Sequence, residues 1–276
     1  MDDLVSVSWL KANLGAADLV VLDASTHLPG VPRDARAEYA ERHILGARFF
    51  DIAALSDRTT TIPHMLPPAD EFAAAMEALG VGSDDRIVIY DDSAIRTSAR
   101  AWFMLRHFGA SQVAILDGGL RCWLAEGHEV TANPPPPRPA RFLARVARPE
   151  QVVSKAELLR GVGMPVADAR SPERFAGTVP EPRPGLEAGH IPGARNLPLG
   201  ALYGEDGRFR PPHELRAAFE KAGLDPARPF VASCGSGVTA NSLIFAARLL
   251  GNRDARLYDG SWSEWGADPL TPKEKS

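Results

Sequence analysis

The chain has 276 residues, 45% apolar and 24% charged, the balance of a soluble globular protein with room for one large domain or two modest ones. With 31 basic and 35 acidic side chains the formal charge is −4, so no overall basic field argues for nucleic acid or an anionic membrane as partner. Two cysteines, Cys122 and Cys234, exclude a disulfide scaffold and a cysteine-rich zinc site, and no run approaches the roughly 18 apolar residues of a membrane span.

The start, Met1-Asp2-Asp3, is acidic and leads into no apolar run, so a signal peptide is not expected; free thiols fit a reducing, cytoplasmic compartment. Residues 19–24, Leu-Val-Val-Leu-Asp-Ala, read as a strand, and His43-Ile44-Leu45-Gly46-Ala47-Arg48 follows. The spacing predicts a helix over 70–79, opened by Asp70 and closed at Gly80. Residues 86–90 form a continuous apolar run of the kind buried on both faces, and 98–108 have helical spacing with Trp102, Leu105 and Phe108 on one face. Ile115-Leu116-Asp117-Gly118-Gly119 and Trp123 close the first half.

Then the order begins again. A strand-like run at 165–169 precedes His190-Ile191-Pro192-Gly193-Ala194-Arg195, a helix over 212–222 ending at Gly223, a buried strand over 229–233, a helix over 240–250, and Leu257-Tyr258-Asp259-Gly260-Ser261 with Trp265. Two copies are too few for a solenoid, so the pattern predicts a duplicated globular domain. The proline run at 134–137 cannot continue a helix or a central strand and predicts an extended spacer. The expected organisation is a first domain over 1–132, a Pro-rich linker over 133–148 and a second domain over 149–276. Strands alternating with helices predict an α/β fold, each domain a mainly parallel sheet flanked by helices, with ligands beyond the carboxyl ends of the strands.

The copies differ where chemistry is expected. After the 229–233 strand stands Ser233-Cys234-Gly235-Ser236-Gly237-Val238-Thr239, leading into a helix; the first copy has Asp91 where the second has Cys234. Gly235 and Gly237 allow the backbone to curl around a sulfur so that successive N–H groups face it, and the following helix adds its positive end. An ordinary thiol of pKa about 8.5 is only about 3% ionised at pH 7, so a nucleophilic sulfur needs such a field. Cys122, in a helical stretch beside Trp123 without a glycine cradle, reads as a packing residue. His43 and His190 recur in both copies and so read as structural.

The Cys-Gly-Ser-Gly-Val-Thr loop in the second of two related α/β domains resembles the active-site loop of the 3-mercaptopyruvate sulfurtransferases, tandem rhodanese-fold enzymes. The likeness extends to Arg33-Asp34-Ala35-Arg36, Ser56-Asp57-Arg58-Thr59, His64-Met65-Leu66-Pro67 and Pro180-Glu181-Pro182-Arg183. It implies Cys234 as sulfur carrier, an active-site loop of Gly235, Ser236, Gly237, Val238 and Thr239, and Arg174 and Arg183 as the substrate-binding arginines. A guanidinium holds a carboxylate through two parallel hydrogen bonds, and a second one near a keto oxygen stabilises an enolate. The resemblance further implies pyruvate release and a persulfide that passes to cyanide, a small thiol or a thioredoxin-type protein.

Thiosulfate-using relatives carry Arg-Lys where this chain has Gly235-Ser236, and an acidic residue where Arg183 stands; a thiosulfate sulfurtransferase is therefore the alternative, and a non-catalytic sulfur-carrier or scaffold module a remote one. A phosphatase on this fold needs Cys-x5-Arg, and Ala240 occupies the arginine's position. In some members a His and an Asp join the loop serine in a relay: His64 stands at the His position and Ala53 where the Asp would be, leaving Asp51, Asp57 or water as substitutes. No metal site or cofactor is expected, because the thiols are few and the histidines show no ligand spacing.

Overall fold

A pair of backbone hydrogen bonds fixes the equivalence of the two halves. The N–H of Ala24 reaches the carbonyl of Tyr90 at 2.9 Å, and that of Ala169 reaches Ser233 at 2.9 Å, so both halves join corresponding strands in one register. The computed structural model describes residues 1–146 and 148–276. In chain order the first half holds β1 (Leu4–Val5), α1 (Val7–Asn13), β2 (Leu19–Asp23), α2 (Ala35–Glu41), β3 (His43–Ile44), β4 (Arg48–Phe49), α3 (Ala69–Ala78), β5 (Arg86–Tyr90), α4 (Ser98–His107), β6 (Gln112–Leu116), α5 (Gly119–Ala125) and β7 (Val130–Thr131). The second holds β8 (Val152–Val153), α6 (Lys155–Arg160), β9 (Val166–Asp168), α7 (Pro172–Ala176), β10 (Arg195–Asn196), α8 (Pro212–Lys221), β11 (Val231–Ser233), α9 (Ala240–Leu249), β12 (Arg256–Tyr258) and α10 (Ser261–Trp265).

The main sheets run β1-β6-β5-β2-β4 and β10-β9-β11-β12-β8, the same order read from opposite edges. Every pairing within them is parallel. A parallel strand needs a crossover, which is why helices alternate with strands and cover both faces. β5 and β11 are central, and their residues after the first are buried, as continuous apolar runs require. The helix that follows each, α4 or α9, is buried nearly all round rather than along the single face that the spacing of Trp102, Leu105 and Phe108 suggests. In α3 the cap is Pro68, not Asp70; Asp70 sits in the first turn, where its charge favours the helix dipole.

Two compact units emerge, and they are not contiguous halves. One comprises Met1–Ser56, Leu66–Arg148 and Gly204–Phe209; the other Asp57–Met65, Pro149–Tyr203 and Arg210–Ser276. His64 thus belongs with the second unit, not with the first domain where its place in the sequence puts it. The segment around residue 206 is fastened inside the first unit by Phe209 N–H to Asp117 Oδ1 at 2.9 Å, and by an Arg121 guanidinium on the Glu205 carbonyl at 2.6 Å.

The Pro-rich stretch over 133–148, of which Ala147 lies outside the described residues, has neither helix nor strand before residue 147. It is nevertheless tied down along the first unit rather than standing free. Arg138 grips Asp85 through two hydrogen bonds of 2.7 and 2.6 Å, and Phe142 is buried edge-on against Phe72 at 5.6 Å between centroids. An aromatic pair of this kind adds about 0.5–1.5 kcal/mol beyond its buried area.

Candidate active site

Cys234 follows the last residue of β11, at the carboxyl end of the second sheet, and is 1% exposed. Its loop is held from outside by the start of α10. The Trp262 N–H donates to the Cys234 carbonyl at 2.9 Å, the Ser263 N–H and hydroxyl donate to the Gly235 carbonyl at 2.8 and 2.7 Å, and the Cys234 N–H donates to Ser261 Oγ at 3.1 Å. Gly237 has φ +70°, and a Cβ there would meet the Asp259 carbonyl oxygen at 2.4 Å, so the curl needs glycine twice over. Asn241, buried in the first turn of α9, donates its amide to the Gly237 and Val238 carbonyls at 2.7 and 3.0 Å and pins the far side.

Of the arginines singled out in the sequence, Arg174 lies against this loop and Arg183 is coupled electrostatically to its cysteine. A Cβ on Gly235 would lie 3.0 Å from Arg174 Nη2, so the guanidinium sits tightly against the loop's backbone at this position. Arg183 is half-buried; burial holds its guanidinium below its ordinary pKa, Cys234 pulls the other way, and the positive charge of Arg174 adds to the depression. Arg183 therefore lies within electrostatic reach of both Cys234 and Arg174. Ser236 is 8% exposed, and its Oγ lies 3.0 Å from Nδ1 of His64, a residue that adopts φ +62°. Of the carboxylates considered for a relay, Asp57 Oδ1 accepts from the N–H and hydroxyl of Thr59 at 2.8 and 2.7 Å, and Asp51 pairs with Arg36 at 2.7 Å.

Three residues went unread in the sequence. Glu181, its side chain 1% exposed, accepts Arg170 Nη1 at 2.8 Å on Oε1 and is bound by Arg174 on both oxygens. Arg170 clasps Asp168, with Nη2 to Oδ2 at 2.7 Å, and lies 4.4 Å over the Trp262 ring. Ser261, fully buried at φ +47°, receives the Cys234 N–H, donates to the Tyr258 carbonyl at 2.9 Å, and places its hydroxyl 3.9 Å from Cys234 Sγ. The signal for Ser261 was present: it stands where the first copy has Gly119, a difference as local as that between Asp91 and Cys234. Glu181 sat inside a quoted motif, but only the fold shows it between two guanidinium groups.

In the first unit the position of the thiol is filled by a carboxylate that satisfies its own loop. Asp91 Oδ1 accepts the Ser93 N–H at 2.8 Å and Oδ2 the Ser98 N–H at 2.9 Å. Cys122 is buried in that unit's core, its Sγ 3.5 Å from the Asp206 carbonyl, and burial pushes its thiol up. His43 bonds the Tyr39 carbonyl at 2.7 Å and stacks on the Tyr39 ring, and His190 does the same with Phe175 at 2.8 Å: the recurrent histidines tie equivalent corners together. Among the described residues no group of three His, Cys, Asp or Glu is placed to hold a metal ion, and no helix is long and apolar enough to cross a membrane.

A glycine-flanked cysteine loop at the carboxyl end of a parallel sheet, in the second of two like units, defines a tandem rhodanese-type protein. The rhodanese-like domain matches residues 6–126 and again 154–268, and the chain belongs to that family. It is 44% identical to the human 3-mercaptopyruvate sulfurtransferase over 270 residues, covering 95% of this chain and 91% of the relative. Over 274 residues it is 42% identical to the bovine thiosulfate sulfurtransferase, covering 95% and 91%. The crystal structure of the Escherichia coli 3-mercaptopyruvate sulfotransferase SseA superposes with a TM-score of 0.86 at 38% identity, covering 96% of this chain and all of that one.

Proposed function

We propose that Cys234 carries the sulfur, that Arg174 and Arg183 bind the donor, and that Ser236 with His64 moves the proton. The chain is a sulfurtransferase that takes sulfur from 3-mercaptopyruvate, releases pyruvate and passes the sulfur to a thiophilic acceptor. The observation that carries the residue assignment is the approach of Arg174 to Gly235, beside the thiol.

The Cys234 thiolate attacks the substrate sulfur; a sulfur–sulfur bond forms as the carbon–sulfur bond breaks, and its electron pair goes to the pyruvate enolate. The two guanidinium groups hold the carboxylate and the enolate oxygen as charge develops there. The substrate's thiol proton ends on the enolate carbon, giving pyruvate. The Ser236 hydroxyl, 3.0 Å from His64 Nδ1, is placed for that transfer. The outer persulfide sulfur then leaves for cyanide, a low-molecular thiol or a reduced thioredoxin-type protein, and the thiolate returns. Mass spectrometry after one exposure to 3-mercaptopyruvate should find one added sulfur atom on the Cys234 peptide and none on Cys122. Labelling of Cys122, or of neither, refutes the assignment.

Thiosulfate use is the second reading, since relatives named for each activity match this chain to a similar degree. Gly235-Ser236 favours mercaptopyruvate: thiosulfate is a dianion that gains from an added cation, and this loop supplies a hydroxyl instead. The ratio of kcat/KM for the two donors decides it, with mercaptopyruvate expected to lead. Thiols that must stay reduced suit the cytoplasm, which cell fractionation tests.

A further inference from the structure

In the second unit the carboxylate of Asp168 faces a guanidinium supplied by its own chain: Arg170 Nε lies 3.1 and 3.0 Å from its two oxygens, and the Trp262 ring forms the floor beneath. The first unit keeps the carboxylate and loses both companions. Asp23 corresponds to Asp168, because the Ser25 N–H donates to Asp23 Oδ1 at 2.9 Å as the Arg170 N–H donates to Asp168 Oδ1 at 2.9 Å. Ser25 therefore stands where Arg170 stands. Leu120, whose N–H donates to the Asp91 carbonyl as that of Trp262 donates to Cys234, stands where the indole stands.

Truncating an arginine to a serine and an indole to an isobutyl group leaves space. A cavity of about 460 Å³ lies here, with Asp23, Ser25, Leu120 and Tyr39 in its wall. Asp23 is only 3% exposed. Its hydrogen bonds come from Ser25 and from the Tyr90 hydroxyl, neutral donors that cancel no charge, while Asp91 nearby is acidic; burial first, and Asp91 in addition, push its pKa up to about 6. Around the wall Glu38, Glu41 and Asp92 add three carboxylates against Arg33 and Arg42. Arg33 is already engaged, with Glu38 at 2.6 Å and Asp92 at 2.9 Å. The cavity is thus negative, sheltered and shaped by the loss of a guanidinium.

We propose that this cavity in the first unit binds a small guanidinium compound, received by Asp23 as Asp168 receives Arg170 in the second. The planar cation would present two N–H donors to the two carboxylate oxygens, as Arg170 presents Nε to Oδ1 at 3.1 Å and Nη2 to Oδ2 at 2.7 Å. The Tyr39 ring and Leu120 supply the apolar contact that a weakly hydrated guanidinium tolerates and a compact ammonium does not.

The test is calorimetric titration of the full chain with methylguanidinium, with L-arginine, and with tetramethylammonium at matched ionic strength. Methylguanidinium should bind saturably, and tetramethylammonium, which has no N–H, should not. Affinity should tighten about tenfold from pH 5 to pH 7 as Asp23 ionises. Asp23→Asn should weaken binding at least tenfold, and Ser25→Arg, which restores the internal guanidinium, should abolish it. If L-arginine binds more tightly than methylguanidinium, a free amino acid is the ligand class; the reverse order assigns a headgroup without an α-carboxylate. Equal binding of tetramethylammonium, unchanged binding by Asp23→Asn, or no saturable binding overturns the proposal. Should either variant fail to fold, the pH dependence and cation selectivity of the unaltered protein decide.

Discussion

Glu181 has no contact with Cys234 among those described, yet it fixes the plane in which the Arg174 guanidinium lies. A guanidinium on a flexible stem is held in one plane only if something grips it, and the buried Glu181 carboxylate does so through both oxygens while anchored in turn by Arg170. Glu181→Gln keeps the shape and removes the charge. It should lower kcat/KM for 3-mercaptopyruvate by about tenfold to a hundredfold, the worth of a charge-assisted pair, and chiefly through KM. A purely structural role would instead lower the active fraction and leave KM alone, so steady-state kinetics with active-site titration separates the two. His64→Ala addresses the other side of the loop. If the Ser236–His64 contact moves the proton, kcat should fall about tenfold to a hundredfold with KM little changed, and the pH–rate profile should lose one limb. An unaltered profile would make the contact structural.

At the level of elements, the strand-to-helix turn between β11 and α9 is the part most plainly written in the chain. A buried apolar run, then Cys-Gly-Ser-Gly, then helical spacing dictates a sharp turn with its thiol at the sheet's carboxyl end, and the structure has that turn. The paired arginines were legible only through the motif around them, since neither α7 nor the loop after it has a spacing that points to position 234. Less was legible where partners come from distant sequence. Ser261 and Glu181 act through contacts spanning 27 and 7 residues that no local pattern encodes, and the membership of His64 in the second unit is a matter of chain exchange. The proline run reads as an extended spacer because its composition forbids helix and central strand; composition says nothing of Arg138 finding Asp85. For the turn itself, Gly237→Ala combines a left-handed backbone with a contact at 2.4 Å, so it should cost roughly 2–4 kcal/mol of stability and prevent sulfur loading of Cys234. Denaturant unfolding and mass spectrometry check both; a variant as stable as the parent would mean the loop has another conformation to adopt.

For the molecule as a whole, duplication has kept the backbone and reassigned the charge. The second unit pairs its buried Asp168 with Arg170, whereas the first leaves Asp23 with neutral donors, so the two units should respond to pH in different ways. Asp23 is an acid with its pKa raised by burial, from 3.8 to about 6. Between those values the folded state holds a proton that the unfolded chain has released, so stability falls as pH rises through this window. A displacement from 3.8 to about 6 corresponds to about 3 kcal/mol, fully present below pH 4 and lost above pH 6. Asp18, Glu38, Asp57, Asp206 and Asp268 behave oppositely: hydrogen-bonding partners lower their pKa values, and the stability they contribute is lost as pH falls. The total profile therefore conceals the Asp23 contribution, and the difference from Asp23→Asn exposes it, since the other groups are common to both proteins. Relative to that variant, the parent should lose about 3 kcal/mol between pH 4 and pH 7, measured by urea unfolding at several pH values across the window. A difference that stays flat would mean that Asp23 keeps an ordinary carboxyl pKa in the folded protein, and that its burial does not hold a proton on it.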